Sequence, residues 1–255
     1  MAVRLYFTFL ILFFSLLLFS CANEEQTRSD FLIEENFEEE ELTSIIEVIE
    51  IDTLEERLIA AGLIGIQSID NRIMIDLKYT TTDNFMGINL YGNVSDAYLQ
   101  PEIAKRLSNV QSHLSKIDSN LVLYVFDAVR PLSVQQKMWD ALDSIPVNER
   151  VKFVSNPKNG SIHNYAAAVD LSIYNLLKDT LLDMGAGFDD LRKIAYPKFE
   201  SHFLEKGELT LEQLNNRKLL RKVMRKEGFH VLETEWWHFN ACSRESAKKF
   251  YELIH

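Results

Sequence analysis

The sequence predicts an α+β domain in which an antiparallel sheet is flanked by helices. Two observations carry that prediction. Apolar runs of strand length recur at Ile64–Ile69, Ile73–Leu77, Leu121–Phe126, Ala166–Ile173 and Phe229–Leu232. Between them, segments 101–114, 131–142 and 211–227 repeat apolar residues every three to four positions, the period of an amphipathic helix. Of the 255 residues, 47% are hydrophobic, enough for a packed core.

The chain divides into three parts. Residues 1–20 open with Arg4 and continue as an apolar run from Leu5 to Phe19, interrupted only by Thr8 and Ser15. A charged start and a short apolar core describe a secretory signal. The run is slightly short for a bilayer span of about 20 residues, which leaves an uncleaved anchor as the weaker reading. Its end, Leu18-Phe19-Ser20-Cys21, resembles a bacterial lipobox, which implies cleavage before Cys21 and acylation of that thiol. The expected location is therefore the bacterial cell envelope, outside the cytoplasm, lipid-anchored through Cys21. Residues 21–53 form an acidic segment. Positions 22–57 hold 14 acids against Arg28 and Arg57, whereas 58–255 hold 24 acids and 24 bases. The net charge of −11 thus belongs to the segment ahead of the domain. A run of like charge rarely builds a core, so a solvated tether is expected, with a partner-binding arm as the alternative. No basic patch argues for nucleic acid. Oligomeric state cannot be read from these residues. Two cysteines do not make a disulfide framework, and Cys242 reads as a lone, small hydrophobe.

The third part, 54–255, is the domain. Leu54, Leu58, Ile59 and Leu63 suit a short helix stopped by Gly62. The apolar runs from Ile64 and Ile73 read as strands, and a polar loop, 80–93, comes after them. Phe85 and Tyr91 are candidates to wall a binding pocket there. Pro101 opens a helix. Leu121–Phe126 reads as a buried strand that ends at Asp127-Ala128-Val129-Arg130-Pro131. Asp127 and Arg130 are either a structural ion pair or a site, because a guanidinium fork suits a carboxylate or an oxyanion. Asp183-Met184-Gly185-Ala186-Gly187-Phe188-Asp189 reads as a glycine-rich loop, with Asp189 as the N-cap of the next helix or as a ligand group. The basic run from Arg217 to Lys226 reads as a solvated helix face, Phe229 starts a strand that continues through Phe239, and Ser243–Ile254 reads as a closing helix.

The chemistry concentrates in two stretches. Ser161-x-His163-x6-Asp170 and Glu235-x-x-His238 offer two imidazoles and two carboxylates. A catalytic zinc takes about three N or O ligands and leaves one position to water, and a nearby carboxylate can accept that water's proton. His163, Asp170 and His238 match the ligands, and Glu235 the base. Asp170 lies in an apolar strand, where an unpartnered carboxylate would be costly. Strict strand alternation would send Glu235 and His238 to opposite faces, so both can reach one ion only if the strand bulges or turns there.

These motifs, together with Asp76-Leu77-Lys78-Tyr79 and Asn84-Phe85-Met86-Gly87, resemble the zinc D-Ala-D-Ala dipeptidases of the vancomycin-resistance type, in the Hedgehog/D,D-peptidase superfamily. The likeness runs from about residue 58 to about 250. It implies one Zn2+ per chain and hydrolysis of D-Ala-D-Ala to two D-alanines. It implies that Arg130 stabilises the oxygen of the tetrahedral intermediate, that Asp189 receives the substrate's ammonium, and that Ser161 and Asp127 contact substrate. The one departure is Ala166, where the family usually has Gly; a positive φ there would cost about 1 kcal/mol or more. A D,D- or L,D-carboxypeptidase acting on peptidoglycan stem peptides is the alternative, and a non-catalytic zinc or cell-wall binding module and a structural lipoprotein with vestigial motifs are more distant ones.

Overall fold

A computed structural model describes residues 53–255. The expected signal, Cys21 and almost all of the acidic tether lie outside the described residues. Among the described residues, no helix is long and apolar enough to cross a membrane.

The described chain opens with α1 (Leu54–Ala60), whose cap Thr53 exchanges hydrogen bonds with Glu56. Gly62, at φ 78°, ends that turn as its sequence position suggests. The run from Ile64 to Ile69 is not a strand throughout: only Ile64–Gly65 is extended (β1), and Ile66–Ile69 turns into a helical segment, α2. Of its two isoleucines only Ile66 is buried, while Ile69 is exposed, so the segment does not present the face of a strand. β2 is also shorter than its apolar run, at Met74–Ile75. β3 (Tyr98–Leu99) pairs with β1 in a separate two-stranded sheet.

Helix α3 (Pro101–Ser115) comes next, burying Ile103, Leu107, Val110 and Leu114 as the period requires. It leads to β4 (Leu121–Asp127) and then α4 (Leu132–Ala141). After these come β5 (Ala168–Asn175) and the short β6 (Thr180–Leu181), then α5 (Glu200–Glu205) and α6 (Leu211–Lys226). The segment 229–239 is a hairpin rather than one strand: β7 (His230–Leu232) and β8 (Glu235–Asn240) are joined at Glu233-Thr234. α7 (Arg244–Phe250) ends earlier than expected, and the chain beyond it runs extended, so that the Ile254 N–H donates to Asn164 O and the Leu132 N–H to Ile254 O.

The main sheet has the order β2-β4-β5-β8-β7, with β6 beside the end of β5. Its pairings are antiparallel except at one edge, where β2 runs parallel to β4. β5 is therefore central, and its residues from Ala168 to Ile173 are buried, which explains why the sequence there lacks alternation. The basic helix face is only partly solvated. Arg217 is buried and Arg221 binds Glu200 through both carboxylate oxygens, at 2.7 Å each.

Candidate metal centre and its cavity

The site begins with strand register. In β4, β5 and β8, Asp127 lies opposite Asp170 and Asp170 opposite His238. Directly opposed residues share a face of the sheet and stand about 5 Å apart. An irregularity between Val125 and Asp127 makes the first pairing. Without it Asp127 would fall opposite Val169 and point to the other face. A second irregularity, between Val231 and Leu232, brings Glu235 opposite Leu232 at the hairpin end of β8. This is the bulge that the Glu235/His238 spacing demands: the Glu235 Oε2 lies 3.9 Å from His238 Nδ1.

His163 arrives from a 3-10 turn, Ile162–Tyr165, capped by Ser161, whose hydroxyl accepts from the His163 N–H. The turn closes at Ala166 with φ 52° and ψ 36°, in the left-handed region. For a residue with a Cβ this conformation costs roughly 1–2 kcal/mol. The methyl is fully buried, and burying it returns about 0.8 kcal/mol. The turn can therefore keep its shape without glycine.

His163 Nε2, His238 Nδ1 and Asp170 Oδ1 form a triangle with edges of 3.1, 3.0 and 3.4 Å. A tetrahedral ion with ligand bonds near 2.0–2.1 Å requires edges of about 3.3 Å. Protonation agrees with distance. The outer nitrogen of each ring meets an acceptor: His163 Nδ1–H donates to Ala128 O, and His238 Nε2–H to Asn240 Oδ1. The inner nitrogens then carry lone pairs, and with Asp170 three acceptors converge on one point with no donor. Such a cluster calls for a cation, and the residues fit a divalent metal ion. Burial alone would lower the His238 pKa, but with no ion in place the Asp170 hydrogen bond and the charges of Asp170 and Glu235 raise it to about 9, so a cation gains the inner lone pair by displacing a proton. Burial alone would raise Asp170, but both imidazoles hold it far below the usual carboxylate range.

Around the triangle lies a cavity of about 170 Å³, walled also by Ser161, Arg130, Asp189 and Glu235. Burial, followed by the charge of Asp170, raises the Glu235 pKa; His238 opposes this. Arg130 is held from behind. Its Nε and Nη2 donate to Asp127 Oδ2 at 3.1 and 2.6 Å, and its guanidinium lies 5.3 Å from the Tyr79 ring centre. Asp127 itself is fully buried, accepts from Tyr91 Oη–H at 2.7 Å and does not wall the cavity. This corrects the expectation that Asp127 touches substrate: its Oδ2 is taken by Arg130 and its Oδ1 by the Tyr91 hydroxyl and the Ala128 N–H. Phe85 does line the cavity and Tyr91 does not, because the Tyr91 hydroxyl is turned inward to Asp127.

Asp189 lines the same cavity. It has φ 59° and caps no helix, and its Oδ2 accepts from Tyr79 Oη–H at 3.0 Å. Burial, then the charge of Asp170, pushes its pKa up to about 8, against the opposing pull of Arg130 and Tyr79.

The sequence pattern gave no role to Tyr79 or Asn240. Tyr79 belongs to a recognised motif, but its partner is 110 positions away. Asn240 was within reach of reasoning, since two residues after His238 on a strand is the same face.

The sequence pattern of the D-ala-D-ala dipeptidase family matches residues 59–255. The chain is 31% identical over 180 residues to a D-alanyl-D-alanine dipeptidase of Escherichia coli, covering 69% of this chain and 83% of that one. It is 28% identical over 191 residues to one of Enterococcus faecalis, covering 70% and 90%. A third, from Streptomyces coelicolor, is 26% identical over 195 residues, covering 70% and 90%. With the family pattern spanning the whole domain that builds this site, the chain belongs to the D-Ala-D-Ala dipeptidase family of peptidases.

Proposed function

We propose that this protein hydrolyses D-Ala-D-Ala to two D-alanines. The observation that carries the reading is one small cavity whose wall holds a buried metal-binding triangle, the carboxylate of Glu235 beside it and a further carboxylate, Asp189. Zinc bound by His163, Asp170 and His238, one ion per chain, supplies an acidified water and a Lewis acid. Glu235 takes the water's proton as the water oxygen bonds to the peptide carbonyl carbon, and hands that proton to the leaving amine as the C–N bond breaks. Its raised pKa suits both halves of that task. Arg130 donates to the oxygen on which charge develops, and Asp127 holds the guanidinium in place. Asp189 receives the substrate's ammonium, which would cancel the cost of its buried charge. Ser161 lies in the wall beside the metal ligands and contacts the dipeptide.

The volume supports a small substrate, since sites for drug-sized ligands span roughly 300–1,000 Å³. One observation favours a second reading, a carboxypeptidase acting on longer stem peptides: a hollow of about 430 Å³ outside the cavity shares Phe85 and Asp189 with it. The test is zinc content together with D-alanine release by the purified protein, from D-Ala-D-Ala and from a pentapeptide ending in D-Ala-D-Ala. Release from the dipeptide alone is expected. Equal or faster release from the pentapeptide would transfer the function to the second reading, and absence of both activities with zinc bound would leave a binding module.

The leader and the Leu18-Phe19-Ser20-Cys21 sequence support a place in the bacterial cell envelope, with the domain lipid-anchored through Cys21 on the extracytoplasmic side. A Cys21→Ser variant is expected to lose its lipid label and appear soluble; unchanged membrane retention would refute the anchor.

A further inference from the structure

We infer that Arg217 is a positioning residue for Asp189, acting from outside the cavity through the loop that carries it. Arg217 Nε donates to Met184 O at 2.6 Å, and its Nη1 to Ile194 O at 3.0 Å. One guanidinium thus ties together the two ends of the segment between Met184 and Ile194. The same face of α6 adds two more ties, both at 2.8 Å: Gln213 Nε2–H donates to Asp183 Oδ2, and Asn216 Nδ2–H to Asp183 O.

Everything the loop gives the cavity lies between those ties. The Phe188 ring packs 4.8 Å from Phe126 and 5.6 Å from Trp237. Asp189 and Leu191 line the cavity wall. Asp189 holds a left-handed conformation, φ 59°, which a side-chain-bearing residue keeps only where its surroundings over-determine it. Glu200 Oε1 lies 3.5 Å from Arg217 Nη1, but both Glu200 oxygens are already bound by Arg221, so charge pairing alone does not call for Arg217. It is 1% exposed, and its Nη2 is buried without a hydrogen bond among the described residues. An apolar side chain would avoid that orphan donor. What an apolar side chain cannot do is join two carbonyls ten residues apart. A lysine could reach one of them, not both.

The inference rests on Asp189 receiving the substrate's amino terminus, and the experiment separates the two ideas. Steady-state kinetics are measured on D-Ala-D-Ala and on its N-acetyl derivative, for wild type, Arg217→Lys, Arg217→Met and Asp189→Asn, with zinc content and thermal midpoint recorded for each. For Arg217→Met, KM for D-Ala-D-Ala is expected to rise on the order of tenfold while kcat changes by less than about threefold, because only the ammonium contact is misplaced. Its preference for the free dipeptide over the N-acetyl form should narrow, zinc content should hold, and Arg217→Lys should fall between it and wild type. A residue that only stabilised the fold would lower the thermal midpoint and leave KM and preference alone. If Asp189→Asn loses the preference and both Arg217 variants keep it, the positioning role is wrong and the reading of Asp189 stands. If Asp189→Asn keeps it, the reading of Asp189 is wrong, and the positioning role falls with it. Should Arg217→Met not fold, Arg217→Lys decides alone by the same KM and preference criteria.

Discussion

The two ends of the cavity are built on different principles. At the metal end, Asp170 and His238 sit opposite one another on paired strands, and each ring's outer nitrogen is bonded to a fixed acceptor, Ala128 O or Asn240 Oδ1. Position there follows from sheet register, which a whole core enforces. At the other end, Asp189 stands on a loop in a left-handed conformation and is steadied by the Tyr79 hydroxyl and by a helix behind the loop. On the roles proposed above, the contrast teaches that the reacting groups are set by strand register and the recognition group by a loop tied to a helix. Perturbing the metal end should therefore change kcat or metal retention, and perturbing the loop end should change KM.

The largest effect should come from Glu235→Ala. It removes the proton acceptor and none of the three metal-binding atoms, so zinc content should stay at wild-type level while kcat drops about 10²–10⁴-fold. Near-normal turnover would mean that another group takes the proton. Next, Arg130→Lys keeps the positive charge but loses the fork that joins Asp127 to the cavity, and kcat should fall by about 10²–10³, with a smaller change in KM. A change confined to KM would place Arg130 in substrate binding rather than at the developing oxyanion.

Asn240→Leu tests the metal end without touching its three ligand atoms. Losing the acceptor at 2.8 Å frees the His238 ring to turn and to protonate its inner nitrogen. Zinc affinity, measured by competition with a chelator, is expected to weaken about 10–100-fold. Unchanged affinity would show that burial alone orients the ring.

The smallest effect concerns stability at the loop end. The Asp189 pKa of about 8 is above its unfolded value, so the folded state holds that proton more tightly. Stability contributed by the protonated carboxyl is complete below the unfolded pKa and is lost as pH rises through about 8. Asparagine does not titrate. In urea unfolding of metal-stripped protein, Asp189→Asn should therefore gain on wild type between pH 6 and pH 8, by at most about 1.4 kcal/mol per pH unit. A difference independent of pH would mean that Asp189 is already ionised across that range.

How much of this was legible depended on distance along the chain. The helices at Pro101–Ser115 and Leu211–Lys226 announce themselves by period, and the first also by Pro101 at its start, effects that act within a few residues. The apolar run from Ile64 to Ile69 misleads because a short buried turn and a short buried strand ask for the same residues. The basic run of α6 misleads in the same way: its charges read as solvated until Glu200 and the 183–194 loop are folded against it.

Residue types and spacing by themselves singled out His163, Asp170 and His238, which the fold brings together, and required a bulge or a turn between Glu235 and His238, because metal chemistry restricts which side chains can serve. They also marked Ala166 as a place where the backbone matters. Only the tertiary structure decided that Asp127 stands behind Arg130, that Asn240 and Ala128 choose the tautomers, and that a buried arginine on a distant helix spans the loop of Asp189. The Asp127–Arg130 and His238–Asn240 pairs are local, but His163 meets Ala128 from 35 positions away and Arg217 reaches carbonyls 33 and 23 positions back. No local period encodes such pairings; they exist once the sheet register and the packing of α6 bring the partners within a hydrogen bond.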